Sequence, residues 1–311
     1  MLPFRLVYHP GYGLDLGAHV FPAQKYRLIR ERLLKEGFAE EEDFVEPASP
    51  GDEELQLAHS PEWIGSLKAG TLSAPDIARL EIPFSPGTVE AFRLAAGGTT
   101  VAGRLALQHG VAVNLGGGFL HAFRGYGEGF CVINDVAVAI RTLQHDGSIR
   151  TAMVVNCDVH QGNGVAAIFS GDDSVFTFSI HQFNNYPRIK PLSSADIHLR
   201  DGTDDSEYCS RLEAGLGLAF ARFHPDLVVY VAGADPFYQD RLGGLTLTFD
   251  GLRKRDRLVL EAALRHGAAA AVTLGGGYAI QVEDTVTVHV NTVKVAKLVL
   301  ENVGWRRRDD A

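Results

Sequence analysis

Cysteine is scarce in this sequence. Three cysteines occur among 311 residues, at Cys131, Cys157 and Cys209, and they are widely separated in the chain. A disulfide framework or a thiolate zinc site needs pairs or clusters of cysteines, so the spacing argues against both. We therefore expect a protein of the reducing cytoplasm.

The sequence also lacks an excess of positive charge and any long apolar segment. It has 29 lysine and arginine residues against 38 aspartate and glutamate residues, a formal net charge of −9. Nonspecific binding of nucleic acid needs a basic surface, so the charge argues against a nucleic-acid partner. No apolar run is long enough to span a bilayer, and the N-terminus lacks the layout of a signal peptide. No membrane partner is expected either.

What the sequence does have is a regular alternation of strand and helix patterns. The predicted strands are apolar throughout, as burial on both faces requires, and they cover residues 6–8, 111–115, 152–156, 175–180, 227–231 and 270–274. The predicted helices cover residues 23–36, 88–108, 133–145, 165–169, 207–223, 249–265 and 282–300. Five strand-then-helix units predict an α/β fold with a mostly parallel sheet and helices on both faces. Without linker or repeat patterns, residues 1–311 are interpreted as one domain.

Three local features carry structural expectations. Ser60 is placed to cap a short helix that contains Trp63. Glycines within the long helix at residues 88–108 indicate close helix packing. The acidic residues 40–43 are interpreted as a solvated turn.

The carboxyl ends of parallel strands form the edge at which ligands of such sheets bind. Polar and glycine residues follow five of the predicted strands at this edge. They are the segments 116–121, 158–160, 179–181 and 275–278, together with Asp235. We therefore expect one functional site built from several strand ends.

Asp158 and His160 carry the clearest chemistry. They leave the strand at residues 152–156 two positions apart, and residues i and i+2 of an extended chain point the same way. Asp235, at the end of a later strand, is the natural third ligand. One imidazole and two carboxylates leave a coordination position open on zinc, as a catalytic site needs.

Two further side chains are candidates for catalysis. Tyr278 follows three glycines, and its phenol could donate a hydrogen bond to an oxyanion; the alternative is a tyrosine packed against a loop. His121 follows residues 116–120 and could act as a general base; the alternative is a core histidine with satisfied hydrogen bonds.

Together these segments resemble the histone deacetylase superfamily, which has the arginase-deacetylase fold. The most similar groups are its bacterial and class IV-like members, with acetoin-utilisation proteins and acetylpolyamine amidohydrolases. The resemblance runs from about Tyr8 to about Lys297. It rests on Gly116-Gly-Gly-Phe-Leu-His-Ala-Phe123, Gly127-Glu-Gly-Phe-Cys-Val-Ile-Asn-Asp135, Asp158-Val-His-Gln-Gly-Asn-Gly164, Ser179-Ile-His181, Ala232-Gly-Ala-Asp-Pro236 with Asp240-Arg-Leu-Gly243, and Leu274-Gly-Gly-Gly-Tyr278.

The resemblance implies a role for each matching residue. It implies one zinc ion on Asp158, His160 and Asp235, an oxyanion donor in Tyr278, and a base in His121 with Asn163 as its partner. It also implies a narrow tube for an acyl-amine chain, lined by Phe130 and Tyr186 with Gly129 and Gly277 in its wall. Ser179 and Ile180, with strand carbonyls, match a site for a monovalent cation, K⁺ or Na⁺, beneath the zinc.

The sequence departs from the family pattern at one pair of positions. The family has two adjacent histidines where this chain has Leu120 and His121, and the aspartate partner of the first histidine is here Asn156. Losing a preorganised donor beside the zinc would lower the rate by roughly 10²–10³. Asn156 also removes a carboxylate from the cation site, and Leu120 makes the pocket floor more apolar.

Three functions follow as hypotheses. The first is zinc-dependent hydrolysis of an acyl-lysine or a small acylated amine. The second is a weakened or repurposed relative that binds zinc and ligand but turns over poorly, or that hydrolyses another bond. The third, a two-metal ureohydrolase, is disfavoured because residues 161–164 supply no further carboxylate. Asp15 could contact a cationic amine, although a solvated loop carboxylate is the simpler interpretation.

Overall fold

A computed structural model describes residues 1–14 and 16–305, so Asp15 lies outside the described residues. Its eight strands form one sheet in which every pairing is parallel, in the order β2-β1-β3-β8-β7-β4-β5-β6. The prediction of a mostly parallel α/β sheet is therefore confirmed. The strands are β1 (Arg5–Val7), β2 (Phe44–Val45), β3 (Val111–Asn114), β4 (Ala152–Asn156), β5 (Val175–Gln182), β6 (Ala195–Leu199), β7 (Leu227–Val231) and β8 (Ala269–Thr273).

The central strands are buried on both sides. Every residue of β3, β4, β7 and β8 is buried. Successive residues of a strand point to opposite faces, so complete burial requires cover on both faces of the sheet. The strands β2 and β6 were not predicted, since β2 has only two residues and β6 is a partly exposed edge strand with polar side chains.

Ten α-helices within the described residues supply that cover. They are α1 (Lys25–Lys35), α2 (Asp52–Gln56), α3 (Pro61–Ala69), α4 (Ala74–Leu80), α5 (Pro86–His109), α6 (Asp135–His145), α7 (Asn163–Ile168), α8 (Asp205–Arg222), α9 (Phe249–Arg265) and α10 (Val282–Val303). One group packs around α5 and α6, and a second runs from α1 through α10 and α9 to α8. The short helices α2 and α4 were not predicted.

The local features mostly follow the sequence. Ser60 caps α3 by accepting a hydrogen bond from the Trp63 backbone at 3.2 Å, as predicted. In α5, a Cβ at Gly103 would lie 2.6 Å from the Leu143 side chain of α6, which confirms close helix packing there, whereas a Cβ at Gly97 would collide with the carbonyl of Ala48 in a loop. The prediction of a solvated turn at residues 40–43 is wrong for one residue, Asp43. Asp43 is buried, because its carboxylate accepts a hydrogen bond from the Leu2 backbone at 2.8 Å.

Candidate active site

Two neighbouring strands bring the predicted metal ligands together. β4 pairs with β7 so that Asn156 lies opposite Val231. Asp158 and His160 follow the end of β4, and Asp235 follows the end of β7. One ligand atom from each lies within 4.8 Å of the others, and all three side chains are buried. Within the part of the chain that the structure describes, this is the one group of three or more His, Cys, Asp or Glu side chains with metal-binding proximity.

The same nitrogen of His160 faces both carboxylates. Its Nδ1 lies 2.9 Å from Asp158 Oδ1 and 3.3 Å from Asp235 Oδ2. Backbone amides occupy the other carboxylate oxygens: Gly276 donates to Asp158 Oδ2 and Val159 donates to Asp235 Oδ1, both at 2.8 Å. Asp235 Oδ2 accepts no hydrogen bond from the described residues although it is buried. A buried oxygen that accepts no hydrogen bond fits a metal ligand.

The electrostatics of the cluster also favour a cation. Burial, with the neighbouring charge of Asp158, raises the pKa of Asp235 to about 7. Burial opposes the charged form of His160, but Asp158 and Asp235 overcome it and raise its pKa to about 10. For Asp158, burial is likewise outweighed by hydrogen bonding to His160, which lowers its pKa. Two buried carboxylates side by side therefore depend on a positive charge between them.

A glycine segment closes over these ligands. Gly276 carries no side chain where a Cβ would lie 2.5 Å from Asp158 Oδ2 and would also collide with Asp235. The close approach lets the Gly276 amide reach the Asp158 carboxylate. Glycine is required here for space rather than for flexibility.

His121 lies next to the cluster and has one nitrogen fixed. Its ring centroid is 5.9 Å from that of His160, and its Nδ1 lies 2.7 Å from Asn163 Oδ1. Burial, with the charge of His160, lowers the pKa of His121 to about 4, so the imidazole is neutral near pH 7. A neutral imidazole can accept a proton.

Asn163 is itself held by Glu128, for which no role was predicted from the sequence. Asn163 Nδ2 donates to Glu128 Oε1 at 2.7 Å, and the hydroxyl of Tyr186 donates to the same oxygen at 2.8 Å. Glu128 lies inside the motif at residues 127–135, so a signal was present. The contact depends on a turn that the spacing of residues does not reveal.

Aromatic side chains form the wall of the pocket. The Tyr278 ring centroid lies 6.0 Å from that of Phe130 and 6.5 Å from that of His160. The Tyr186 ring centroid lies 4.9 Å from that of His121. Burial raises the pKa of Tyr278 well above its ordinary value, so its hydroxyl stays protonated and can donate. The Tyr278 backbone amide donates to Asp240 Oδ2 at 2.6 Å, which fixes this residue at the rim.

Phe130 reaches the pocket through a strained turn. The backbone amide of Cys131 donates to the Glu128 carbonyl at 2.9 Å, and the two residues between them, Gly129 and Phe130, have φ of 53° and 67°. Positive φ at both central residues is the pattern of a type I′ turn, in which glycine is favoured. For a phenylalanine this conformation is unfavourable and marks a position held by its surroundings.

The pocket has an outer and an inner part. The outer cavity has a volume of about 180 Å³ and is lined by Phe130, Tyr186 and Tyr278 among others. The inner space of about 20 Å³, room for roughly one water molecule, is lined in part by His121 and Leu120. Leu120 is buried at this floor.

The two glycines expected in the wall, Gly129 and Gly277, differ in position. Gly129 lines both parts of the pocket, as expected. Gly275 and Gly276 line the inner part. A Cβ at Gly277 would instead contact Thr285 and Ala234. Gly277 therefore shapes the turn behind the wall.

Asn156, Ser179 and Ile180 lie beneath the cluster. Asn156 Nδ2 donates to the His160 carbonyl at 2.8 Å and to Ser179 Oγ at 3.1 Å. Its Oδ1 accepts from the Asp158 amide at 3.0 Å. The backbone donor fixes which end of the amide is the oxygen, so the NH₂ group points at the other two oxygens. Ile180 is buried in β5 beside them.

Two buried cations near the site were missed by sequence reasoning. Lys25 Nζ donates to the Gly275 carbonyl at 2.5 Å, and burial lowers its pKa to about 8. Arg255 donates to the carbonyls of Cys157 and Gly233, and it pairs with Asp256 at 2.7 Å. Both residues lie in segments with ordinary helical patterns. Such a pattern does not indicate that a charged side chain is buried.

Comparison with known families identifies the domain that the sequence motifs resemble. The sequence profile of the histone deacetylase domain matches residues 19–293. Histone deacetylase 2 of Arabidopsis thaliana is 31% identical over 269 residues, covering 84% of this chain and 70% of that protein. The acetoin utilization protein AcuC of Bacillus subtilis is 30% identical, covering 87% of this chain and 76% of that protein.

A protein of Picosynechococcus sp. is similar over most of this chain, and a solved structure shares its fold. The Picosynechococcus protein, described as uncharacterized, is 42% identical over 92% of this chain and 96% of its own length. The crystal structure of a histone deacetylase homologue complexed with SAHA aligns with a TM-score of 0.80 at 23% identity. That alignment covers 99% of this chain and 91% of the homologue, and it shows a shared fold.

Proposed function

The chain belongs to the histone deacetylase superfamily, and on that premise we propose that it is a zinc-dependent amidohydrolase that removes an acyl group from an amine. The observation that carries the proposal is the buried cluster of Asp158, His160 and Asp235, with ligand atoms within 4.8 Å of one another. His121 and Tyr278 line the same pocket. The substrate class is an acyl-lysine side chain or a small acylated amine.

The cluster fits zinc by its donors. One imidazole nitrogen and two carboxylate oxygens are common zinc ligands, and three protein ligands leave a position open for catalysis. Asp235 Oδ2, which is buried and accepts no hydrogen bond from the described residues, supports this assignment. When bound, zinc supplies Lewis-acid chemistry, which polarises a carbonyl and makes water a better nucleophile.

His121 handles the proton in this proposal. Its Nδ1 is held by Asn163, which leaves Nε2 to accept a proton from the attacking water and to pass it to the leaving amine. The pKa of about 4 keeps the imidazole neutral before the reaction, as a base must be. Asn163 fixes the orientation of the ring.

Tyr278 stabilises the negative charge that develops on the carbonyl oxygen. Its hydroxyl is protonated because burial raises its pKa, so it is a hydrogen-bond donor at neutral pH. A preorganised donor beside an oxyanion contributes roughly 10²–10³ in rate. Phe130 and Tyr186 form apolar walls that admit a slender chain and exclude water from the reacting bond.

The hydrogen bonds of Asn156 do not fit a monovalent cation. Its NH₂ group donates to the His160 carbonyl and to Ser179, so the end of the side chain that faces these oxygens is a donor. A cation needs oxygen ligands. We propose that the Asn156 amide replaces a cation beneath the zinc, with no K⁺ or Na⁺ on Ser179 and Ile180.

A second function is favoured by one observation. Leu120 is buried at the floor of the inner pocket, where it supplies an apolar side chain instead of an imidazole. A protein of this kind could bind zinc and an acylated ligand while turning over slowly, or hydrolyse a bond other than an amide.

We also propose a cytoplasmic location, because all three cysteines are buried and unpaired.

A substrate panel tests the first function. Zinc-loaded protein is incubated with acetyl-lysine peptides, longer acyl-lysine peptides and acetylated polyamines, and released amine is measured. Asp158→Asn serves as the matched control, because it keeps the shape of the ligand but removes its charge. Hydrolysis of one class by the wild type and not by the control supports the proposal.

The same panel distinguishes the second function from the first. Binding detected by calorimetry without release of amine from any substrate would support a weakened relative and overturn the amidohydrolase. Turnover of ester or imine analogues alone would show that the pocket serves different hydrolytic chemistry.

A further inference from the structure

An asparagine partner leaves the proton position on a histidine undefined. A carboxylate only accepts hydrogen bonds, so it always holds the N–H form of the nitrogen that faces it. An amide can turn either its oxygen or its NH₂ group toward the ring. If Asn163 turned Nδ2 toward His121, Nδ1 would be the acceptor and the proton would move to Nε2. That tautomer cannot accept a proton from water at Nε2.

Glu128 removes this ambiguity. Its Oε1 accepts a hydrogen bond from Asn163 Nδ2 at 2.7 Å, on the side of the amide opposite His121. Reversing the amide would place Asn163 Oδ1 against a carboxylate oxygen, where both atoms are acceptors. The reversed amide would lose one charge-assisted hydrogen bond and gain a repulsion. The observed orientation, with Oδ1 toward His121, is therefore the stable one.

We propose that Glu128 is a positioning residue that sets the tautomer of His121 through Asn163. This rests on the proposed function of His121 as the proton acceptor. With Oδ1 of Asn163 facing the ring, Nδ1 of His121 must carry the proton, which leaves the lone pair on Nε2. The direct partner of His121 is an amide rather than a carboxylate. The carboxylate of Glu128 follows as the next group in the hydrogen-bond chain.

The same carboxylate holds the pocket wall. The Tyr186 hydroxyl donates to Glu128 Oε1 at 2.8 Å. Gly129 allows this approach, because a Cβ there would lie 2.8 Å from the Tyr186 ring. The hydrogen bond from the Cys131 amide to the Glu128 carbonyl fixes the backbone of the turn. One oxygen atom thus links the base to the aromatic side chain that lines the substrate tube.

The test is a double-mutant cycle on zinc-loaded protein. Glu128→Ala frees the amide to reverse, so we expect kcat to fall by the same factor as the fraction of the Nδ1–H tautomer, which is roughly 2-fold when both orientations of the amide are equally populated and larger when the reversed one is preferred. Adding Asn163→Asp to Glu128→Ala restores an acceptor-only partner and recovers most of that loss. Asn163→Asp with Glu128 present places two carboxylates together and lowers both kcat and Tm. The effect of Asn163→Asp therefore changes sign with residue 128.

A readout independent of turnover is the tautomer itself. Long-range ¹H–¹⁵N spectra of histidine-labelled protein distinguish the protonated ring nitrogen from the other, with His121→Gln used to assign the signal. We expect an Nδ1–H form in the wild type, a mixture in Glu128→Ala, and Nδ1–H again in the double variant. Zinc content and Tm show that each variant is folded.

The outcomes separate this proposal from the proposed function. An unchanged Nδ1–H tautomer in Glu128→Ala would overturn the role of Glu128, whatever the activity. A tautomer that shifts in Glu128→Ala, together with a wild type that hydrolyses no substrate, would leave the positioning by Glu128 intact and reject the amidohydrolase. Loss of activity in Glu128→Ala that Asn163→Asp does not rescue would also contradict the proposal.

Discussion

Asn156 donates a hydrogen bond from its side-chain amide to the backbone carbonyl of His160 across 2.8 Å. This contact ties the end of β4 to the residue whose imidazole is the proposed metal ligand. Ser179 on β5 accepts the second amide hydrogen at 3.1 Å. A neutral side chain thus makes contacts that a bare carboxylate could make only with a cation between the oxygens.

We expect the stability of the wild type to be independent of potassium. Its Tm should be the same in potassium chloride and in choline chloride at equal ionic strength. In Asn156→Asp the carboxylate would face two oxygens, so this variant should be less stable and should regain stability with potassium. Potassium at about ten times its Kd would contribute roughly 1.4 kcal/mol, a shift of about 2 °C or more. A specific rise of the wild-type Tm with potassium would contradict this.

The pair Leu120 and Asn156 should limit turnover. Leu120→His combined with Asn156→Asp, assayed with potassium present, should raise kcat by roughly 10²–10³, since it adds one preorganised donor with its carboxylate. Leu120→His alone should gain less, because its imidazole has no carboxylate to orient it. Leu120→Met, which conserves volume, is the control. No gain in the double variant would indicate that the apolar floor serves a different acyl group or a different reaction.

Removing the Tyr278 hydroxyl should affect the transition state and leave binding intact. Tyr278→Phe keeps the ring between Phe130 and His160 and deletes only the donor. We expect kcat to fall by roughly 10²–10³ with little change in KM. Tyr238→Phe, at a side chain that is 53% exposed, is the matched control. Equal losses in kcat for both variants would reject the oxyanion role.

His59 should make the stability of the protein fall in mild acid. Its Nδ1 lies 3.0 Å from the Phe123 carbonyl and its Nε2 accepts a hydrogen bond from the backbone N–H of Asn134 at 3.0 Å, so the ring is neutral. Burial lowers its pKa from 6.5 to about 4. The unfolded chain therefore binds the proton more readily below pH 6.5, and stability is lost as the pH falls toward 4.

The expected loss from His59 is roughly 3 kcal/mol at pH 4. Urea unfolding between pH 7 and pH 4 measures it. His59→Gln retains a donor and an acceptor but does not titrate, so its curve should be flatter in this range. Parallel curves for the wild type and the variant would show that His59 is not responsible.

The fold and the proximity of Asp158, His160 and Asp235 could be predicted because both depend on short-range patterns. The apolar runs of β4 and β7 mark buried strands, and parallel strands bring their carboxyl ends to one edge, which places Asp158 and His160 beside Asp235. The strand β2 was not predicted because its two residues are too few to show an alternating or continuous apolar pattern. The strand β6 was missed because an edge strand needs no apolar face on its exposed side.

The supporting residues could not be predicted because they depend on three-dimensional contacts. Glu128 reaches Asn163 only through the turn that contains Gly129 and Phe130. Lys25 points into the protein from an ordinary amphipathic helix, and its partner Gly275 lies 250 positions away in the sequence. For Gly277, three consecutive glycines gave no basis for deciding which of them lines the pocket.

The central claim is that Asp158, His160 and Asp235 hold one zinc ion, and a metal count tests it most directly. Elemental analysis of purified protein after dialysis should give about one zinc per chain for the wild type. It should give almost none for Asp235→Asn, with Asp172→Asn at a surface ion pair as the control. Zinc bound equally by the wild type and by Asp235→Asn, or bound by neither, would contradict the account.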